Sequence, residues 1–103
     1  MERVLLAVEL VPVGRVVSYG EVAELVGTSA RRVGAVLKLH GGAVPWWRVT
    51  NAQGELPAPL LAEAKTHWSA EGIGIAASGR GCRRAQHRAD LTALGAAYDR
   101  VAF

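Results

Sequence analysis

The chain has 103 residues, half of them apolar, with 12 Lys and Arg against 9 Asp and Glu and a single cysteine. That is length for one domain with one modest core; it excludes an internal disulfide, and no apolar run approaches the ~18 residues that span a membrane. The net charge is +3, and its distribution is uneven: from Ile75 onward five arginines face two aspartates, whereas the first 74 residues balance seven basic against seven acidic groups. A neutral body with a basic end suggests a polyanion partner, or else a solvated surface segment. His40, His67 and His87 stand far apart, so neither a metal nor a cofactor is expected, and the lone Cys82 suits a reducing cytoplasm.

Taken in chain order, residues 2–10 carry Val4, Leu5 and Val8 on one side of a first helix, closed by Pro12 and Gly14. The opening "MERVLLAVELVPVG" contains Glu2 and Glu9 and no basic lead, so it reads as that helix and not as a signal peptide. A turn and a short extended piece follow. Ser18 and Glu21 then stand three apart before "VAELVG", the spacing of a capping box, and Gly27 ends the second helix. Thr28 or Ser29 caps a third, "ARRVGAVLKLH", with Val33, Val36, Leu37 and His40 on its apolar stripe. Two short helices joined at Gly27–Ser29 form a helix-turn-helix or an ordinary helical hairpin with a charged, solvated face.

After Gly41-Gly42 the sequence reads "AVPWWRVTNAQGELPAP". "WRVT" is strand-like, "NAQG" a turn and "EL" the start of a partner strand, together the size of a wing. Were the stretch extended, Trp46 and Trp47 would point to opposite sides. A fourth helix, "LLAEAKTHWSAEG", places Leu60, Leu61, Ala64 and Trp68 on one side, and "IGIAA" is a final short strand. The remainder starts loose and is expected to end in a helix that uses Leu91, Leu94 and Tyr98. The expected division is a domain over 1–77 and a basic, part-helical tail over 78–103.

Three motifs in order, "VPVGRVVSYGEVAELVG", "SARRVG" and "VPWWRV", give the chain a resemblance to the DNA-binding domain of O6-alkylguanine-DNA alkyltransferases. That family reads Pro-x-Gly-x-Val-x-Ser-Tyr-Gly, then Ala-Arg-x-Val-Gly, then PCHRV, and the match covers roughly residues 1–75. The resemblance implies a mainly α fold with a small β component, a winged helix-turn-helix like the alkyltransferase C-terminal domain. It also exposes a departure. The family's nucleophilic Cys falls at Trp46, its activating His at Trp47, and the Glu that orients that His at Lys65. An indole is neither a thiolate nor a base, so alkyl transfer is not expected. The pattern resembles the alkyltransferase-like proteins, which carry another residue in place of the Cys; most of these keep the following His. Cys82 lies outside the match, with no acid–base partner evident.

The resemblance also implies roles. Arg31 matches an arginine finger that fills the gap left by an extruded base. Tyr19 matches a tyrosine that crowds a phosphate; Trp46 and Val49 join it around the lesion pocket, Trp46 as a flat wall and the backbone near Trp46 and Val49 as acceptors. Ser18 is a cap first and a phosphate ligand second. Ala30 and Gly34 match small residues on the groove-facing side, Arg32 and Lys38 are cations of the DNA-binding helix, and that helix lies in the minor groove, which carries little sequence information. Pro45, Trp47 and Arg48 are structural near the pocket, Trp47 as core and Arg48 as an ion-pair partner. The expected function is a non-enzymatic sensor of O6-alkylguanine in duplex DNA. It would flip the base and pass the site to nucleotide excision repair proteins, as a cytoplasmic monomer without membrane contact. The basic tail serves either the DNA or that repair partner. The competing readings are a winged-helix transcription regulator without lesion specificity and an enzyme with a different nucleophile.

Overall fold

The computed structural model describes Glu2–Ala102, a mainly helical molecule with a two-stranded sheet. α1 (Arg3–Glu9) buries Val4, Ala7 and Val8, the i, i+3, i+4 stripe of an amphipathic helix. α2 (Tyr19–Val26) starts in a complete capping box: Glu21 N donates to Ser18 Oγ at 3.1 Å, and Ser18 N donates to Glu21 Oε1 at 2.8 Å. It stops at Gly27, whose φ of 85° is left-handed and easy only for glycine. α3 (Ala30–His40) is capped by Ser29, which accepts from Arg32 N at 3.1 Å, and buries Val33 and Val36. His40 does not continue that stripe; it is exposed at the last residue, where the chain turns away through a 3₁₀ segment, Gly41–Ala43.

Strand β1 (Val17–Ser18) pairs with β2 (Val49–Thr50) in parallel, Val17 opposite Val49 and Ser18 opposite Thr50. A parallel pair needs a long crossover, and α2 and α3 supply it. This alters the expected wing. β2 does not pair with Glu55-Leu56; instead Asn51 closes the turn, its Oδ1 accepting from Gln53 N at 3.0 Å and Glu55 N at 2.8 Å. The return arm is taken up elsewhere, Glu55 forming an antiparallel bridge with Gly81. A Cβ at Gly54 would lie 2.6 Å from the Cys82 carbonyl oxygen, so the two backbones can approach only because glycine is there. "IGIAA" likewise forms a single bridge, Ile75 with Cys82, in place of the expected strand.

α4 (Ala58–Glu71) buries Ala64 and Trp68, while Leu60, expected on the same side, is 41% exposed. The segment after 77 departs most from the expected tail. Val16 N donates to the His87 carbonyl at 2.8 Å and Ala89 N to the Val16 carbonyl at 3.0 Å, which stitches it to the sheet edge. α5 (Leu91–Ala102) then inserts Leu94 and Tyr98 into the cluster formed by α1, α2 and α3, while Leu91 stays exposed. The stretch after residue 77 thus adds Ala89, Leu94 and Tyr98 to the cluster built on α1, α2 and α3. A second cluster gathers Val16, Leu56, Ala64, Trp68, Ile73 and Cys82. Among the described residues no helix is long and apolar enough to cross a membrane, and no three His, Cys, Asp or Glu side chains converge on a metal position.

Two carboxylates tie distant segments together. Glu21 accepts from Arg84 at 2.8 Å and Arg88 at 3.2 Å, fastening the C-terminal stretch to the start of α2. Glu71, at the end of α4, accepts from Gly14 N at 2.9 Å, Trp47 Nε1 at 2.7 Å and Arg48 Nη2 at 2.8 Å. Burial acts to raise both carboxyls, but these donors outweigh it and hold each below the ordinary value of 4.5. A depressed carboxyl stabilises the fold fully above its unfolded value and loses that contribution as pH falls through the folded one.

Two outcomes are expected. Urea midpoints should fall as pH drops below the ordinary glutamate value of 4.5, and Glu71→Gln should flatten part of that fall; at neutral pH it should cost about 3 kcal/mol, the low end for a broken buried pair. Leu94→Ala should cost about 2–5 kcal/mol by chemical denaturation, whereas a solvated tail residue would change stability by less than ~0.5 kcal/mol.

Candidate functional site: an indole-walled cleft

A cleft of about 740 Å³ opens between α3, the loop after it and the start of α4. That volume lies inside the ~300–1,000 Å³ range of small-ligand sites. Tyr19 contributes one wall from the first residue of α2. α3 contributes Gly34, Leu37 and Lys38, one side of the helix over a little more than one turn. Gly41 and Gly42 form the turn beneath, Trp46 the facing wall, and Leu56, Pro57, Pro59, Leu60 and Glu63 the far side. A Cβ on Gly34 or Gly42 would meet nothing within 4 Å, so these glycines leave room for a visiting group and not for the protein's own packing.

Of the residues expected around the pocket, Tyr19 and Trp46 line the cleft and Val49 does not. Val49 is fully buried, because its place in β2 turns the side chain into the core beside Val17. The Trp46 carbonyl already accepts the Val49 N–H, closing a 3₁₀ turn over Trp46–Arg48. That turn also corrects the expected geometry of the two indoles. The stretch is not extended at that point, so the rings do not part to opposite sides. They meet edge to face, centroids 5.7 Å apart at 83°. Trp47 is half-buried, not sealed in a core. Pro45 is buried at the entrance to the turn.

Behind the cleft wall, Trp47 and Arg48 converge on Glu71. Arg48 presents Nε at 3.0 and 3.2 Å and Nη2 at 2.8 Å to the carboxylate, while Nη1 donates to the Val11 carbonyl at 2.9 Å. The position expected for the orienting carboxylate, Lys65, lies two turns earlier on α4 and does not take this part; Glu71 does, since the last turn of α4 is the one that reaches the 3₁₀ segment. A glutamate at a helix C-terminus opposes the macrodipole by ~0.3–1 kcal/mol, less than the ~1.5–3 kcal/mol of each charged hydrogen bond it gains.

Ser18 is 8% exposed and its hydroxyl is committed to the cap. Burial pushes the Tyr19 phenol above its ordinary range, so it stays neutral at physiological pH. Ala30, Arg31 and Arg32 are exposed on the first turn of α3. Arg32 approaches Glu2 at 3.7 Å across solvent, a pair worth little. Arg31 has no carboxylate at ion-pair distance among the described residues. One and two turns further along, Gly34 and Lys38 reach the cleft itself. Cys82 is 2% exposed, and burial raises its thiol, which leaves it a poor nucleophile.

Residues missed from the sequence are Leu37, Gly41, Gly42 and the 56–63 side of the cleft. The run "LPAPL" held the usable signal: two prolines at the start of a helix fix its entry, and an unburied Leu60 beside them marks an apolar surface.

Comparison with known proteins gives the family and the fold. The family described as the 6-O-methylguanine DNA methyltransferase DNA-binding domain matches residues 1–73. A "DNA base-flipping protein" of Escherichia coli (strain K12) is 40% identical over 85 residues, 77% of this chain and 66% of that protein's length, so just under two thirds of the relative is spanned. The protein of the same name from Vibrio parahaemolyticus is 38% identical over 76 residues, covering 68% of this chain and 76% of its own. Among solved structures, S. pombe Atl1, crystallised with damaged DNA containing O6-carboxymethylguanine, superposes with a TM-score of 0.67 at 32% identity over 89% of both chains. With three linked motifs, this fold and these relatives, the chain belongs to the family of the 6-O-methylguanine DNA methyltransferase DNA-binding domain and has an alkyltransferase-like fold.

Proposed function

We propose that this protein is a non-enzymatic sensor that binds O6-alkylguanine in duplex DNA and holds the flipped base against Trp46. The observation that carries this is the cleft itself: an indole forms its wall where the family's PCHRV motif has the nucleophilic Cys. The one thiol of the chain is buried away from solvent. An alkylated guanine offers a flat π face and an apolar arm. Trp46 can stack on the first, and Leu37, Leu56 and Leu60 can receive the second. Stacking on an aromatic contributes about 1–3 kcal/mol per base, comparable with the few kcal/mol that extruding a weakened pair costs.

In this reading the start of α2 and the exposed stripe of α3 face the minor groove. Arg31 enters the gap in the base stack, Tyr19 crowds the phosphate beside the flipped nucleotide, and Ala30, Gly34, Arg32 and Lys38 border the backbone, with Ser18 contributing through its cap. The family relatives named for base flipping and the Atl1 complex with damaged DNA support it. A protein that reads a lesion and cannot remove it must hand the site on. We assign that step to nucleotide excision repair proteins acting on a cytoplasmic monomer.

Titration of two duplexes that differ only in one O6-methyl group tests the reading; tighter binding to the methylated one in several sequence contexts is expected, and equal binding would overturn it. Incubation with radiolabelled alkylguanine duplex should leave the protein unlabelled, and label on the protein would establish an enzyme instead. Trp46→Ala should weaken lesion binding by about 1–3 kcal/mol, roughly 5- to 150-fold, and undamaged binding far less. Arg31→Ala should weaken lesion binding about tenfold or more without moving the thermal midpoint, as expected for losing a charged hydrogen bond of ~1.5–3 kcal/mol.

A further inference from the structure

α4 carries His67 and Glu71 at i and i+4, so the two side chains leave the helix on the same face one turn apart. Both close on one indole. The His67 ring lies on the Trp47 ring with centroids 3.6 Å apart and planes 5° from parallel. The Glu71 carboxylate takes the Trp47 N–H at 2.7 Å from the edge of the same ring. A third grip comes from the next residue on α4, Trp68, whose Nε1 donates to the Trp47 carbonyl at 2.7 Å. Trp47 is therefore held by face, edge and backbone, all from one helix.

The wall of the cleft leans on this block. The Trp46 ring meets Trp47 edge-on at 5.7 Å and 83°, and meets His67 edge-on at 6.1 Å and 81°. Among the described residues no hydrogen bond holds the Trp46 indole itself, so these ring contacts and the backbone turn set its plane. A stacking surface is useful only if its plane is fixed before the base arrives, since ordering it on binding would subtract from the affinity.

Resting on the reading that Trp46 stacks on the lesion base, we propose that His67 is a positioning residue for lesion recognition. Its stack on Trp47 builds a flat buttress that fixes the Trp46 indole in the cleft. The imidazole touches no DNA in this arrangement. It acts through its ring face, so another aromatic ring can replace it and an aliphatic side chain of similar bulk cannot.

The experiment compares wild type, His67→Ala, His67→Leu and His67→Phe in titrations with O6-methylguanine duplex and undamaged duplex, with thermal midpoints as the check on folding. Alanine and leucine should each weaken lesion binding about fivefold, the order expected when aromatic pair contacts are lost, while undamaged binding changes less than about twofold. Phenylalanine should return lesion binding to within about twofold of wild type. Wild-type lesion affinity in the leucine variant would overturn the proposal, as would an equal loss on both duplexes or a loss that phenylalanine does not repair. A wild-type protein with no lesion preference would sink the sensor reading and this proposal with it; a wild-type preference that His67 does not affect sinks this proposal alone.

Discussion

A single carboxylate, Glu71, carries the connections on which the site depends. It sits at the end of α4 and receives the Gly14 backbone from the loop before β1, the indole N–H of Trp47 and the guanidinium of Arg48. Three stretches of chain far apart in sequence meet at two oxygens. The Arg48 end continues to the Val11 carbonyl at the close of the first helical region, so the same ion pair reaches from the helical cluster to the second core cluster. Without a charge there, the 3₁₀ turn that presents Trp46 would keep its internal bond and the Trp68 and His67 contacts to Trp47 but lose its ion pair to α4.

That arrangement shows how an indole can satisfy a carboxylate that an imidazole could equally serve. At Trp47, which the motif resemblance sets against the family's activating His, the Glu71 carboxylate accepts an indole N–H, a donor that also points outward from a planar ring. An indole donates only and is not an acid–base group. The cleft in front, with Trp46 in the wall, is suited to holding a flat apolar group. The second indole is neither pure core nor ligand contact. It stands between the two, half-buried against His67, with Arg48 also 5.6 Å from its ring centre.

The charge of the molecule tells a similar story of partial internal use. Five arginines follow Ile75 and account for the net excess. Arg84 and Arg88 are drawn onto Glu21, at the same N-terminal turn of α2 that places Tyr19 in the cleft. Part of the apparent tail charge is therefore a clasp that positions the site, and α5 behind it seals the core with Leu94 and Tyr98.

By itself the sequence determined the helices and their ends. The capping box at Ser18 and Glu21, the glycine stop at Gly27 and the valine stripe of α3 depend on neighbours within a turn, and local hydrogen bonds and periodicity settle such features. It also carried the three motifs that pointed to the family. The rest was decided by contacts between residues far apart in the chain. The parallel pairing of Val17 with Val49, the return of residues 87–89 to the sheet edge at Val16, the choice of Glu71 over Lys65 and the clasp of His67 on Trp47 are such contacts. None leaves a periodic or spacing signal that identifies its partner, because each partner is chosen by which helix turn or strand edge arrives beside it when the two cores close.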